Sequence, residues 1–179
     1  MYPAGGVRAA TRDDAVGIAS VQVRGWRWAY RGLIPDGYLD SLSIEERTRT
    51  FLVLLDDGAG NSRFLVWERE GKVAGFVSFG ESRDRPEVGG AGEIYAIYAD
   101  PELTRQGIGS ALLLAAESHL VEMGFRRAIL WVLEGNAIGR RFYERLGWRP
   151  DGATKAEDAY GVGRDLREVR YSRKLTPPE

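Results

Sequence analysis

One segment of the 179-residue chain constrains its fold more than any other: an apolar strand and a glycine-spaced loop lead directly into an amphipathic helix. The strand is Gly92–Ala99, a turn with Pro101 follows, and the loop Arg105–Ser110 opens the helix. A helix that starts in this way leaves backbone N–H groups unpaired, and with the helix dipole these bind anions, most often phosphate. Gly107 and Gly109 allow close approach to the backbone because they lack a Cβ atom. The segment therefore predicts a site for a phosphorylated ligand.

The loop differs from the two best-known phosphate-binding motifs. A Walker loop requires Gly-Lys-Ser/Thr after its glycines, and the chain contains no such run. A dinucleotide-binding fingerprint requires a third glycine where this chain has Leu112. Taken alone, a Gly-x-Gly loop is also typical of a tight turn before a helix. Its interpretation therefore depends on the rest of the chain.

Two further segments accompany this loop, Glu93–Tyr98 before it and Asn136–Trp148 after it. Together the three resemble the Gcn5-related N-acetyltransferase (GNAT) family over about Arg63–Trp148. The family's loop reads Gln/Arg-x-x-Gly-x-Gly/Ala, and its later helix reads Asn-x-x-Ala-x-x-Phe-Tyr-x-x-x-Gly-Phe. The chain departs from these patterns at Thr104 (with Arg105 one place later), Ile138, Gly139 and Trp148. Because of the change at Thr104, backbone amides are expected to hold the pyrophosphate.

The resemblance implies acetyl-CoA as co-substrate. The residues expected to bind its pyrophosphate are Arg105, Gln106, Gly107, Ile108, Gly109 and Ser110. In the family, a bulge separates the central strand from its neighbour, and the pantetheine arm lies there like an extra strand. Ile97 and Ala99 are then expected to offer backbone groups to the arm, with Tyr98 packed beneath it. A backbone N–H near Ile97 or Tyr98 is the expected donor to the oxyanion.

Glu93 is the candidate general base, because the family often carries a glutamate in this role on the central strand. An alkyl amine has a pKa of about 10.4, so a base must remove a proton at neutral pH before the amine can attack. Strand alternation predicts that Glu93 shares one face with Tyr95, Ile97 and Ala99. The alternative is that Glu93 merely begins the strand and lies in solvent.

Tyr143 is the candidate general acid, because a phenol is protonated at neutral pH and can give its proton to a leaving thiolate. The resemblance places this tyrosine beside the sulfur of the coenzyme. The alternative is a core aromatic residue paired with Phe142. Asn136, at the start of the same helix, is an N-cap, a coenzyme contact or both.

Three aromatic residues, Trp26, Trp28 and Tyr30, fall where the family has its acceptor-side helix and loop. They either line an acceptor cleft or pack in the core. The predicted reaction is the direct attack of a primary amine on acetyl-CoA, with a small-molecule acceptor favoured over a protein N-terminus or lysine. The alternative function is that of a non-catalytic module that binds acyl-CoA.

Composition narrows the remaining function classes. With 44% hydrophobic residues, the chain is expected to form a single domain over residues 1–179. A net charge of −1 disfavours a nucleic-acid surface, and no apolar run approaches the roughly 20 residues that span a membrane. With no cysteine and one histidine, neither a cysteine nucleophile nor a metal site is expected. A cytoplasmic location and a homodimer paired through the C-terminal strands, as in the family, complete the expectations.

Hydrophobic periodicity and turn residues predict the element order β-α-α-β-β-β-α-β-α-β-β, a mixed α/β sheet with helices on both faces. The resemblance implies a GNAT-like, largely antiparallel arrangement. The predicted strands are Val7–Ala10, Arg63–Arg69, Lys72–Gly80, Gly92–Ala99, Arg126–Leu133, Trp148–Ala153 and Leu166–Leu175. The predicted helices are one that starts with Thr11 as its N-cap, followed by Ser43–Leu55, Gly107–Met123 and Asn136–Leu146. Pro35 and Gly37 are predicted to interrupt the chain between the first two helices.

Overall fold

The framework of the protein is one seven-stranded mixed sheet, seen in a computed structural model that describes residues 5–56, 62–84, 90–158, 161–163 and 165–176. The strands are β1 (Gly6–Ala9), β2 (Arg63–Arg69), β3 (Lys72–Glu81), β4 (Gly92–Ala99), β5 (Arg127–Leu133), β6 (Arg149–Glu157) and β7 (Leu166–Lys174). The helices are α1 (Ala15–Ala29), α2 (Asp36–Ser41), α3 (Ile44–Asp56), α4 (Ile108–Glu122) and α5 (Ala137–Arg145). Across the sheet the order is β1-β2-β3-β4-β5-β7-β6, with β4 and β5 parallel and the other neighbours antiparallel. The predicted mixed α/β fold is confirmed.

The N-terminal part of the chain contains one short helix more than predicted. Pro35 does interrupt the chain, but its carbonyl accepts hydrogen bonds from the N–H groups of Tyr38 and Leu39 and so begins α2. Proline is tolerated at a helix start because the N–H it lacks would have no partner there. The predicted cap at Thr11 is confirmed: its N–H donates to Asp14 Oδ2 at 2.7 Å, and a turn of 3₁₀ helix leads into α1.

Strand β6 is longer than predicted. The sequence predicts an end at Ala153, whereas pairing with β7 continues to Glu157. The register shifts between Pro150 and Thr154, where Gly152 has a φ of +92°. Such a bulge breaks the alternation of apolar and polar residues, so the second, polar half of the strand carries no strand signal in the sequence. β6 also forms one edge of the sheet, which is where the expected pairing of two subunits would have to occur.

Helices cover both faces of the sheet around β4. On one face α4 packs against the central strands, with Ile108 and Leu112 fully buried. On the other face α1 and α3 pack around Phe51 and Phe76. Gly75 on β3 brings α4 close to the sheet, because a Cβ atom there would lie 2.8 Å from Ile108 Cγ2. Among the described helices, none is long and apolar enough to cross a membrane.

The first strand is joined to the start of α1 by a partly buried ion pair that makes the stability of the fold depend on pH. Asp14 accepts hydrogen bonds from Arg8 at 2.7 and 2.8 Å and from the Thr11 N–H at 2.7 Å. The bonds from Arg8, and less strongly that from Thr11, hold the pKa of Asp14 below its ordinary value. Since the pKa is lower in the folded than in the unfolded chain, the pair stabilises the fold above about pH 4. That stabilisation is lost as the pH falls through the folded-state pKa.

Asp14→Asn is therefore expected to lower the free energy of unfolding at pH 7 by about 1–3 kcal/mol, because Arg8 loses one of its two charged partners and keeps only Glu68. Urea unfolding at pH 7 and at pH 3 measures the effect, and the gap between variant and wild type should narrow at the lower pH. The neighbouring exposed carboxylate provides the control: Asp13→Asn should leave stability within about 0.5 kcal/mol. An equal deficit at both pH values would contradict the assignment.

Candidate active site

The sheet opens beside the second half of β4. Pairing with β3 slips by one residue at Tyr95, since Ser78 faces Ala96 while Phe79 faces Ile94. Tyr95 is thus the extra residue of a β-bulge, which bends the strand that carries it. Within the described residues, the parallel pairing of β4 with β5 extends over Gly92–Ile94 and stops where the bulge begins. A V-shaped gap therefore separates the rest of β4 from β5.

The backbone of β4 presents hydrogen-bonding groups to this gap. The Asp100 N–H donates to the Ala74 carbonyl on β3 at 2.9 Å. Successive backbone groups of a strand point to opposite sides, so the N–H of Tyr98 also points to β3. The N–H groups of Ile97 and Ala99 point the other way, towards the gap. Of the two expected oxyanion donors, Ile97 and Tyr98, the alternation therefore favours Ile97.

The bulge also reverses which side chains share a face, and the predicted alternation along β4 is wrong. Ile94 packs on the α4 side of the sheet, and because Tyr95 adds one residue, Ile97 packs there too. Glu93 precedes Ile94 and so lies on the opposite face, towards α1, where Tyr98 also packs. The candidate base thus lies on the face opposite to the side chains of Ile97 and Ala99 and shares its face with Tyr98.

The loop before α4 turns sharply through two left-handed residues, Arg105 with a φ of +63° and Gly107 with a φ of +83°. The first intrahelical hydrogen bond runs from the Ala111 N–H to the Gly107 carbonyl at 2.9 Å. The three residues from Ile108 to Ser110 therefore carry the N–H groups that a helix start leaves without an intrahelical acceptor. The side chain of Gln106 accepts a hydrogen bond from Arg69 at 3.2 Å, which fixes it against β2.

The two loop glycines have different physical roles. Gly107 is required by its positive φ, a conformation that costs other residues about 1–2 kcal/mol. Gly109 allows close packing, because a Cβ atom there would lie 3.3 Å from the ring of Phe142 on α5. The start of α4 consequently packs against Phe142 in the second half of α5.

Asn136 caps helix α5. Its Oδ1 accepts a hydrogen bond from the Gly139 N–H at 2.9 Å, as an N-cap residue does. Gly139 fits this cap because a Cβ atom there would lie 2.7 Å from the Asn136 amide nitrogen. The departure from the family's alanine at this position is therefore compensated locally, and α5 is a regular helix.

Tyr143 extends from α5 into the aromatic packing below the gap. Its ring lies 5.2 Å from Phe142, 6.4 Å from Trp148 and 6.3 Å from Tyr171, measured between ring centroids. Burial raises the pKa of its hydroxyl above the ordinary value. Burial also raises the pKa of the Tyr98 hydroxyl, and the nearby hydroxyls of Tyr30 and Tyr143 raise it to a smaller extent. Both phenols are therefore neutral proton donors over the physiological pH range.

The three predicted acceptor-side aromatic residues separate in the structure. The hydroxyls of Tyr30 and Tyr98 are hydrogen-bonded at 2.8 Å, and Trp26 packs edge-on against Tyr30 at 5.5 Å. Trp26 and Tyr30 belong to a buried cluster that also contains Leu133 at the end of β5. Trp28 lies midway between them in the chain, so its side chain points to the other side of the helix and is 49% exposed. Trp26 and Tyr30 thus come to the gap and Trp28 does not.

The loop after α1 contacts the turn between β5 and α5, because a Cβ atom on Gly135 would lie 2.7 Å from Leu33. Leu33 also packs against the buried cluster of Trp26 and Tyr30.

Glu93 is almost completely buried, so the alternative that it lies in solvent is wrong. Its Oε2 accepts the Arg83 backbone N–H at 2.8 Å, and its Oε1 accepts the guanidinium at 2.5 and 3.1 Å. The guanidinium also lies over the Tyr95 ring, 4.6 Å from its centroid. Sequence reasoning did not identify Arg83. It meets Glu93 only because β3 and β4 are paired, which places the residues that follow β3 beside Glu93.

Sequence reasoning also missed an aromatic platform on β5. Trp131 donates to Asp84 Oδ2 at 2.9 Å, and Lys155 and Arg170 lie over its ring at 4.6 and 5.6 Å. Trp131 stands two residues before the buried Leu133, so both side chains lie on the α1 side of the sheet, as Glu93 does. The alternation of side chains along β5 was the signal available in the sequence. The platform adds a polar, aromatic surface beside the candidate base.

Comparison with known proteins gives a consistent result. The model of the Acetyltransferase (GNAT) family matches residues 20–148. The uncharacterised N-acetyltransferase YuaI of Bacillus subtilis is 41% identical over 107 residues, 60% of this chain and 59% of YuaI, so the match spans less than two thirds of that relative. Spermidine N(1)-acetyltransferase of Thermoplasma acidophilum is 24% identical over 146 residues, 80% of this chain and 87% of that protein. PaiA N-acetyltransferase from T. acidophilum, crystallised with coenzyme A, shares the fold with a TM-score of 0.75 and 22% identity, covering 96% of this chain and 99% of PaiA.

The cap at α5 makes the two roles considered for Asn136 separable. Asn136→Ala removes the capping oxygen and is expected to lower the free energy of unfolding by about 1 kcal/mol, whereas Asn136→Asp keeps an acceptor and should preserve it. Thermal unfolding of both variants measures the cap. Calorimetric titration with coenzyme A measures the other role, since loss of affinity in the stable Asp variant would reveal a contact with the amide. Equal stability of the Ala variant and wild type would refute the cap.

Proposed function

The chain belongs to the acetyltransferase (GNAT) family, and we propose that it transfers the acetyl group of acetyl-CoA to a primary amine by direct attack. The observation that supports this best is the gap beside β4, which exposes unpaired strand backbone near the start of α4. An extended thioester arm fits such a gap as an added strand. The coenzyme A bound by PaiA and the amine substrate named for the spermidine enzyme agree with this proposal.

The coenzyme is proposed to bind with its pyrophosphate at the start of α4. The N–H groups of Ile108, Gly109 and Ser110 and the positive end of the helix dipole favour an anion at this position. The left-handed turn at Arg105 and Gly107 exposes further backbone to the phosphates. The arm then follows β4, hydrogen-bonded to Ile97 and Ala99, and brings the thioester close to Tyr143.

The proposed reaction begins when the neutral amine nitrogen attacks the thioester carbonyl carbon. The Ile97 N–H donates a hydrogen bond to the developing oxyanion, a contribution of roughly 3–4 kcal/mol in comparable sites. The C–S bond then breaks, and Tyr143 gives its proton to the leaving thiolate. Each step uses a group that faces the gap, and no covalent acyl-enzyme intermediate is needed.

Glu93 is proposed to take up the proton of the amine through water. It stands four residues before Ile97, a separation of about 13 Å along an extended strand, which is too long for direct contact. It also lies on the acceptor face, where the amine has to arrive. A water-filled path past Tyr98 would connect its carboxylate to the reacting nitrogen.

A small-molecule acceptor is favoured because aromatic residues partly enclose the proposed acceptor face. Trp26 and Tyr30 pack there in one buried cluster, and Leu33 packs between that cluster and Gly135. A lysine on a folded protein or a protein N-terminus is the second candidate among acceptors. A non-catalytic acyl-CoA-binding module would retain the loop without needing Glu93 and Tyr143, and the presence of both argues for an enzyme.

The proposal is tested by measuring thiol release from acetyl-CoA with a panel of polyamines, aminoglycosides, amino acids and short peptides. The rate without amine is subtracted. Release that depends on one class of amine supports the proposal and identifies that class. Coenzyme binding without release for any amine would favour the non-catalytic module.

Tyr143→Phe removes only the hydroxyl and is expected to lower kcat by about 100-fold, a usual effect of losing a general acid. The affinity for coenzyme A, measured by calorimetry, should stay within about threefold, because the ring and its packing remain. Since burial raises the pKa of Tyr143, wild-type kcat should not decline on the alkaline side below about pH 10.

Tyr171→Phe is the matched control. Tyr171 is a buried tyrosine that packs against Tyr143, but its hydroxyl donates to Glu144 at 2.7 Å and accepts from Arg140 at 3.0 Å. This variant should lose stability while keeping kcat per folded molecule. Unchanged turnover in Tyr143→Phe would exclude Tyr143 as the acid.

A further inference from the structure

The carboxylate of Glu93 already holds a cation, and that cation belongs to the protein itself. Within the part of the chain that the structure describes, its two oxygens accept three hydrogen bonds, all from Arg83: one from the backbone N–H to Oε2 and two from the guanidinium to Oε1. The side chains differ sharply in exposure, 1% for Glu93 and 65% for Arg83. The guanidinium is therefore the outer, replaceable partner of a buried charge.

The surroundings of the guanidinium are those of a cation-binding site. One side is the carboxylate of Glu93, and the other is the face of Tyr95, 4.6 Å from the guanidinium carbon. The Tyr95 ring is held in place because its hydroxyl donates to the Glu81 carbonyl at 2.6 Å. A carboxylate together with an aromatic face attracts ammonium as well as guanidinium groups.

A buried carboxylate strongly restricts what can replace Arg83. Removing one member of a buried ion pair leaves an uncompensated charge, which is strongly unfavourable. An uncharged molecule therefore cannot displace the guanidinium from Oε1 without that cost. A positively charged amine can, because the carboxylate keeps a cationic partner throughout the exchange, and the backbone bond to Oε2 remains.

We propose that Arg83 is a specificity-determining residue: a resident cation that occupies the Glu93–Tyr95 site until an acceptor arriving as an ammonium ion displaces it. The inference rests on the proposed function, since it assigns the amine acceptor to that site. The acceptor class is thereby narrowed to amines that are protonated in solution.

Arg83→Gln tests this by removing the internal competitor. Calorimetry with the protein saturated with coenzyme A, using spermidine and butylamine as cationic probes, should show about tenfold tighter binding than wild type. The reason is that apparent affinity is reduced by the fraction of sites already occupied. Butanol, an uncharged probe of the same chain length as butylamine, should gain nothing. Equal or weaker binding of the cationic probes, or an equal gain for butanol, would overturn the proposal.

Two further variants guard against a folding defect. Arg83→Lys keeps the charge of the pair but loses the forked, planar geometry, so about threefold tighter binding of the probes is expected. Weaker binding by this variant would also overturn the proposal. In Arg83→Gln/Glu93→Gln the gain should disappear, because the carboxylate that attracts the probe is gone.

Arg12→Gln is the matched control for the loss of a surface arginine. Arg12 is paired with Asp56 and is 56% exposed, but it precedes α1, whereas the site lies beyond the other end of that helix. Its probe affinities should equal those of wild type. Because binding is measured without turnover, absence of acetyl transfer would refute the proposed function while leaving the Kd comparison to decide the role of Arg83.

Discussion

One extra residue in β4 determines where this protein can bind a ligand. Tyr95 interrupts the register with β3, and pairing with β5 stops at the same point. A regular strand would have continued the ladder and satisfied the backbone groups of Ile97 and Ala99. The bulge leaves them facing a gap, and an open stretch of strand of this kind is a ready partner for another extended chain. In this fold the gap is lined by protein on both sides, which suits a coenzyme arm.

Close packing of the helices against the sheet and against each other brings their residues near the gap. Gly75 lets α4 lie directly on β3, and Gly109 lets the start of α4 meet α5 at the ring of Phe142. These contacts bring the start of α4 and Tyr143 to the same face of the sheet. The opposite face has Glu93, Tyr98 and Tyr30. The proposed anion site and the proposed acid therefore lie on one face, and the proposed base lies on the other.

The balance of charge on the acceptor face follows from burial. Glu93 lies within the fold, and such a carboxylate needs a cationic partner wherever it occurs. Arg83 supplies it and at the same time covers the oxygen that a base would use. The proposed exchange of Arg83 for an ammonium ion reconciles these two requirements, because the buried charge is compensated before and after the acceptor binds.

Patterns in neighbouring residues account for what could be predicted from the sequence. The strand, the glycine loop and the helix at residues 92–123 were recognised because periodicity and φ requirements depend on a few adjacent residues. The Thr11 and Asn136 caps were predicted for the same reason, and both form. The prediction that Glu93 shares a face with Ile97 and Ala99 is wrong. A bulge shifts the alternation of side chains by one residue, and the composition of the strand does not reveal it. Helix α2 was missed because Pro35 terminates one element and begins the next.

The sequence by itself determined the strands and four of the five helices, their order, and the types of residue available for anion binding and proton transfer. The tertiary structure alone decided which of these residues meet. Arg83 and Glu93 are ten residues apart, Tyr30 and Tyr98 are far apart in the chain, and Trp28 was excluded from the site by the direction of its helix face. Such contacts depend on register, strand splay and helix packing, which arise from interactions between distant segments and are fixed only when the chain is folded.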